Sequence, residues 1–229
     1  MTAGIRIERT TRPPEPTAAG QLTEALREMG ARAGDVVMLH VNAAAVGLDT
    51  RGDAAHATLL DAVRAAIGPD GTILVPTYTF SFCRQEDFDP ATTPTAGGPW
   101  SPSTDFLEYF RRLPDVVRSD DPIHSIAGQG PAAAALLSDV PPTCFGEGSV
   151  FQRLVEADAL LCMIGLGLEE ATLRHYTEEA VGVPFRYRKL FTGRVREDGV
   201  LQKRGWVYNV RILADNGYPD GRQIGRAHV

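Results

Sequence analysis

Three short apolar runs constrain this chain more than anything else in it: Asp35-Val36-Val37-Met38-Leu39-His40-Val41, Thr72-Ile73-Leu74-Val75-Pro76 and Ala159-Leu160-Leu161-Cys162-Met163-Ile164. A strand with one face in water alternates apolar and polar residues. A run without alternation suits a strand covered on both faces, as in a parallel sheet sandwiched by helices. Segments with helical spacing lie between the runs. Thr17 caps a predicted helix to Met29, with Leu22, Ala25, Leu26 and Met29 on one side. A second helix over residues 53–67 carries Leu59, Leu60, Val63 and Ile67 on one face. Strands alternating with helices predict a three-layer α/β/α sandwich around a mainly parallel sheet. It is read as a single domain over residues 1–229, with a polar, proline-bearing lead-in at 1–16.

Further along, Gly68-Pro69-Asp70-Gly71 is a strong turn before the second run. Residues 81–103, rich in Pro, Gly and acids, read as a long loop of the kind that usually carries function. Helices are predicted over 104–112, 131–138 and 169–180, and short strands over 116–118 and 123–127. Residues 190–210, with a turn at Glu197-Asp198-Gly199, read as a β-hairpin, an antiparallel addition near the C-terminus.

Bulk properties narrow the function. A chain of 229 residues can bury a sizeable core. The formal net charge of -6 argues against nucleic acid as a partner and is compatible with a cationic substrate. No stretch approaches the roughly 20 apolar residues of a membrane span, and the N-terminal residues lack the apolar core of a secretory signal. Cys83, Cys144 and Cys162 are odd in number and widely spaced, which fits neither a disulfide framework nor a zinc site and points to a reducing cytoplasm. No metal is expected, because the helix holding His175 has no second histidine one turn away. Cys162 reads as core, so a cysteine nucleophile is not expected either.

The residues able to do chemistry gather where a parallel sheet binds ligands, beyond the carboxyl ends of its strands. The first run delivers His40-Val41-Asn42-Ala43-Ala44-Ala45-Val46-Gly47, whose small side chains let backbone amides approach a ligand. The last run passes through Gly165-Leu166-Gly167 to the segment bearing Thr172, His175, Glu178 and Glu179, spaced to share a helix face. A carboxylate one turn from a histidine can accept its ring N–H and leave the other nitrogen as a base near neutral pH. A surface ion pair between His175 and Glu178 fits the same spacing. Gly146-Glu147-Gly148-Ser149 fits an anion-binding helix start or an ordinary capped turn. Arg186, Arg188 and Lys189 form a basic cluster that could meet phosphates or simply be solvated.

Six blocks in order carry a family resemblance: GDVVMLHVNAAAVG (34–47), GPDGTILVPTYTF (68–80), FDPATTP (88–94), VVRSDDPIHSIAGQGP (116–131), GEGSVFQRL (146–154) and LLCMIGLGLEEATLRHYTEE (160–179). In these the chain resembles the aminoglycoside 3-N-acetyltransferase family. The resemblance implies acetyl-CoA as co-substrate and direct acetyl transfer to a primary amine of an aminoglycoside or amino sugar, without a covalent acyl-enzyme. It implies His175 as the catalytic base and Glu178 as its acid partner. It puts CoA along His40, Val41, Asn42, Ala43 and Val46, with Thr77, Arg118, Ser125, Ser149 and Phe151 nearby. Tyr78, Asp89, Glu179 and Tyr208 are the expected contacts to the amine. A small-molecule acceptor, no membrane partner and a cytoplasmic location follow, and a homodimer is among the states it allows.

The chain also departs from the family pattern. His40-Val41-Asn42 stands where a histidine and two serines are usual, and Tyr208-Asn209 where an acid is expected. The segment VGVPFRYRKLFTGRV (181–195) looks more like biosynthetic members acting on amino sugars. Family members continue past Ala227-His228-Val229 into a further strand and helix, so a shortened form is expected. Two rival readings keep the same residues: a thioester hydrolase using His175 and Glu178 on water, and a CoA-binding protein without turnover.

Overall fold

In the computed structural model, which describes residues 19–42, 45, 52–96 and 105–212, the three apolar runs are the parallel heart of one sheet. The elements in order are α1 (Ala19–Glu28), β1 (Val36–Val41), α2 (Asp53–Ile67), β2 (Thr72–Pro76), α3 (Asp105–Arg111), β3 (Val117–Arg118), β4 (Ile126–Gln129), α4 (Ala133–Leu137), α5 (Val150–Glu156), β5 (Leu160–Ile164), α6 (Leu173–Ala180), β6 (Arg186–Glu197) and β7 (Val200–Arg211). The five-stranded sheet has the order β3-β4-β2-β1-β5. β1 pairs in parallel with β2 and β5, from Val37↔Leu160 to Val41↔Ile164 on one side, while β4 runs antiparallel to β2 and β3.

The absence of alternation in the runs has the expected cause: both faces of the sheet are covered. Val37, Leu39 and Val41 of β1 and Ile73 and Val75 of β2 pack beneath α1, α2 and α3 through Leu22, Leu59, Val63, Phe106 and Phe110. Met38 and Leu74 point the other way, onto Leu136 and Leu137 of α4 and Phe151 and Leu154 of α5. Val195 and Trp206 of the β6–β7 ribbon complete that second core, so the hairpin belongs to the α4–α5 side. Main-chain bonds stitch it down: Phe88 N–H donates to Arg194 O at 2.9 Å, Arg196 N–H to Phe88 O at 2.8 Å, and Cys144 N–H to Val207 O at 2.9 Å. Gly193 allows the closest approach, since a Cβ there would sit 2.5 Å from the Phe82 ring.

Three elements depart from the sequence expectation by more than two residues at an end. The strand expected over 123–127 is displaced to Ile126–Gln129, because the Asp121 carboxylate accepts the amides of Ile123 and His124, each at 2.8 Å. Those residues bond irregularly instead, with Thr79 and Phe80 N–H both donating to Ile123 O. The helix expected over 169–180 is two pieces: a 3-10 turn at Leu168–Glu170, an extended Ala171 (φ −70, ψ 107), then α6. The polar spacing gives no sign of this break, since Thr172, His175 and Glu179 all lie after it. The hairpin is longer than expected, starting at Arg186 and ending at Arg211.

Gly165 is where β5 turns toward α6. Its φ of +67 lies in the left-handed region, and a Cβ there would overlap Asn42 O and come within 2.9 Å of Ala45 Cβ. Gly165→Ala is therefore expected to destabilise the fold by about 1–3 kcal/mol, the scale of local backbone strain plus overpacking. Thermal melts should show a fall of several degrees; an unchanged Tm would contradict this reading of the turn.

Candidate active site

The carboxyl ends of β1, β2 and β5 open together on a cavity of about 240 Å³, as strand-end geometry requires. His40 and Val41 from β1, Pro76 of β2 with Tyr78 just beyond it and Leu166 after β5 form its floor, and Arg174 and His175 of α6 form one wall. Tyr208 of β7 closes it from the hairpin side, with Glu169 and Glu170 at the 3-10 turn. The site thus joins the sheet, the helix and the hairpin.

His175 lies in this wall with its Nδ1 2.9 Å from Glu178 Oε2, the pair that the i, i+3 spacing on α6 allows. Arg186, from the first residue of β6, closes on both: its Nη2 is 2.8 Å from His175 Nδ1 and its Nε is 2.6 Å from Glu178 Oε2. The Phe145 ring packs edge-on against the imidazole at 5.5 Å between centroids. Burial lowers the His175 pKa below the ordinary 6.5, helped by the positive charges of Arg186 and Arg174 and opposed by Glu178. The imidazole is therefore neutral at pH 7. Burial alone would raise Glu178, but the bond from His175 and the charges of Arg186 and Arg174 outweigh it and hold the carboxyl below its usual range. With Nδ1 engaged, Nε2 is the ring nitrogen left for a substrate, the requirement for a general base.

His124 and Tyr78 add buried polar groups to the same cavity. The His124 ring is packed among Tyr78, Phe80, Phe145 and Tyr208, with centroids 4.8–5.1 Å away. Burial pushes its pKa well down and pushes the hydroxyl pKa values of Tyr78 and Tyr208 up, the latter to about 12. Neither ring nitrogen of buried His40 has a hydrogen-bond partner among the described residues, and burial lowers its pKa to about 4. A neutral imidazole that no other described residue satisfies is free to bond to a ligand.

The other sequence-derived candidates fall into two groups. His40, Val41, Tyr78, His175 and Tyr208 line the cavity, and Glu178 backs it through His175. Asn42 follows β1 and donates its N–H to Ile164 O at 2.8 Å, while Ala43 and Val46 lie outside the described residues. Elsewhere the polar side chains each make at least one bond within the protein. Thr77 Oγ1 and Ser125 Oγ bond across to Ser125 O and Thr77 O, at 3.2 and 2.6 Å. Arg118 donates to Thr77 O, Thr77 Oγ1, Pro90 O and Thr93 O, a clamp that holds the residue 90–93 turn; burial lowers its pKa to about 9. Ser149 caps α5 by accepting from Gln152 N–H, and Phe151 is core. Asp89 pairs with Arg196 at 3.1 Å and Glu179 with Arg188 at 2.8 Å, both away from the cavity lining.

Sequence spacing does not single out Arg174, Glu169 and Glu170 as cavity residues, although Arg174 adjoins His175 and the two acids follow the Gly165-Leu166-Gly167 turn. Nor does it give Arg186 a partner, since that contact spans eleven residues and two elements. Among the described residues no group of three or more His, Cys, Asp or Glu is placed to hold a metal ion, and no helix is long and apolar enough to cross a membrane.

Fold and site together define an α/β/α enzyme with a part-buried histidine–carboxylate pair at the strand ends. The model of the aminoglycoside 3-N-acetyltransferase family matches residues 38–218, and the chain belongs to that family of acyltransferases. Relatives include the aminoglycoside N(3)-acetyltransferase VIII of Streptomyces fradiae, 30% identical over 91% of this chain and 76% of its own length. The aminoglycoside N(3)-acetyltransferase III of a Salmonella species is 31% identical over 91% and 79%. Among solved structures, AAC-VIa bound to sisomicin superposes with a TM-score of 0.76 at 28% identity, covering 91% of this chain and 82% of that one. A binary complex of AAC-IIIb with CoASH shares the fold, with a TM-score of 0.74 at 24% identity over 86% and 77% of the two chains.

The His175 environment makes a direct prediction. Titrated by NMR, its ring should show an apparent pKa below 6.5, and Glu178→Gln should lower it further by removing the one neighbour that favours the imidazolium. A value at or above 6.5, or a rise in the variant, would contradict the assignment.

Proposed function

We propose that this protein transfers the acetyl group of acetyl-CoA directly to a primary amine of an amino sugar or aminoglycoside, with His175 as general base and Glu178 as its orienting partner. The observation that carries the reading is the engaged Nδ1 of His175, 2.9 Å from Glu178 in the wall of the strand-end cavity. A protonated amine has no lone pair with which to attack. As the neutral amine attacks the thioester carbonyl, its nitrogen becomes acidic and Nε2 takes the proton. The carbon–sulfur bond then breaks and CoA leaves as the thiolate. The new imidazolium is stabilised by Glu178, as an ionised carboxylate strengthens a bond to a cationic donor. The names of the relatives, which include aminoglycoside acetyltransferases and a CoASH complex, support the donor and acceptor classes.

On the acceptor side, Glu169 and Glu170 provide anions at the cavity, and Arg174 sets a cation beside them. Burial and the neighbouring Glu169 raise the Glu170 pKa, so a bound ammonium would relieve that repulsion. With Tyr208 rather than an acid on the hairpin side, the lining suits one or two amines better than a polycation.

Free-thiol release from acetyl-CoA, measured against mono-amino sugars and polycationic aminoglycosides, tests this. Acceptor-dependent release is expected, fastest with mono-amino sugars, and His175→Ala should lower it ~10²–10⁴-fold, the usual share of general base catalysis. Kanamycin-type acceptors winning by a wide margin would overturn the acceptor assignment. Thiol release indifferent to acceptor would indicate hydrolysis instead, and wild-type rates in His175→Ala would remove the base.

A further inference from the structure

The contact between Arg186 and the His175–Glu178 pair carries more than an ion pair. The Arg186 side chain is 5% exposed and is fixed at one end by Nη1 donating to Asn209 O at 2.9 Å on the partner strand β7. Its other atoms reach Glu178 Oε2 and His175 Nδ1, at 2.6 and 2.8 Å. A guanidinium only donates, and an ionised carboxylate only accepts. Nδ1 therefore cannot satisfy both neighbours at once. If it carries the proton, it donates to Glu178, and the guanidinium lies against the same carboxylate as an ion pair. If it is bare, it accepts from Arg186 and turns its lone pair on Glu178 Oε2, 2.9 Å away. The first arrangement turns both the Nδ1 proton and the guanidinium charge on the carboxylate, and its cost is the Nη2 contact, where donor meets donor. The second leaves two electron-rich atoms face to face and puts the proton on Nε2, where it blocks base catalysis.

We propose that Arg186 is a positioning residue that fixes His175 as the neutral tautomer protonated on Nδ1, by pairing with Glu178 and by setting a positive charge against the ring. This rests on reading His175 as the base of the transfer. The other groups facing the imidazole are Arg174 on its own helix, His124 from the segment before β4 and Tyr208 from β7. His124 is neutral through burial, and burial keeps the Tyr208 hydroxyl protonated. Arg174 is the one other cation among them, and it lies on the same helix rather than across the pair. Arg186 is thus the charged link by which the hairpin acts on the His175–Glu178 pair, while Arg188 holds Glu179 away from it. A lysine could supply the charge but not the fork, because its ammonium is a point donor on a flexible stem.

The test is the pH profile of kcat/KM for Arg186→Gln and Arg186→Lys, together with ¹⁵N NMR of the His175 ring in the same proteins. Removing the positive charge makes the imidazolium easier to form, so the His175 pKa rises. Arg186→Gln should accordingly move the acid limb upward by about one pH unit. Arg186→Lys should leave that limb near its wild-type place while lowering kcat. In the wild type, ¹⁵N shifts should identify Nδ1 as the protonated nitrogen, and the NMR titration of Arg186→Gln should shift in parallel with its acid limb. An acid limb and a His175 titration both unmoved in a folded Arg186→Gln protein would overturn the proposal and leave Arg186 a packing residue. So would an Nε2-protonated ring in the wild type. Should Arg186→Gln fail to fold, Arg186→Lys with the wild-type tautomer measurement decides alone. The NMR arm needs no turnover, so a protein that transfers to no acceptor tested would refute the transfer reading while still testing Arg186.

Discussion

The carboxylate of Glu178 is the point on which this site depends. It lies 2.9 Å from the histidine of its own helix and 2.6 Å from an arginine delivered by the hairpin. Its Oε2 therefore ties α6 to β6 at the level of the chemistry. Without the hairpin, the histidine–carboxylate pair would be a half-exposed i, i+3 contact worth well under ~1 kcal/mol. Partly enclosed beside Arg186 and Phe145, the same pair becomes a proton-accepting device whose ionisation is set by the fold.

That dependence explains the rest of the architecture. The parallel core of β1, β2 and β5 brings three strand ends to one edge, and the reversed β4 lets the segment carrying His124 cross that edge. Asp121 captures the amides there, while Arg118, Thr77 and Ser125 lock the crossing with main-chain bonds. The hairpin is then pinned to Phe88 and to residues 142–144, which sets where Arg186 and Tyr208 fall. Each layer positions the next, and the cavity lies where the three meet.

Much of this is legible in the sequence, for identifiable reasons. Apolar runs without alternation mean strands covered on both faces, and the structure covers them. The Thr172–Glu179 spacing gives a shared helix face, and that face holds the His175–Glu178 pair. What the sequence does not reveal is whether a polar side chain is satisfied inside the protein. Arg118, Thr77, Ser125, Asp89 and Glu179 all have ligand-binding chemistry, yet each is engaged by a neighbour that is distant in sequence or lies on another element. Arg186 is the reverse case. In the sequence it is one of three basic residues before a strand; in the fold its own side chain is buried, 5% exposed against 67% for Arg188. Likewise the break at Ala171 leaves the polar spacing intact and can be seen only in the backbone.

The measurement that bears most directly on the central claim is a double-mutant cycle in turnover, combining His175→Ala with Glu178→Gln. If the two act as one unit, Glu178→Gln should do less harm than His175→Ala, and the double variant should be scarcely slower than His175→Ala alone, because removing the orienter of an absent base changes nothing further. If the two losses multiply, Glu178 contributes independently of His175, and the account of a single histidine–carboxylate base is wrong.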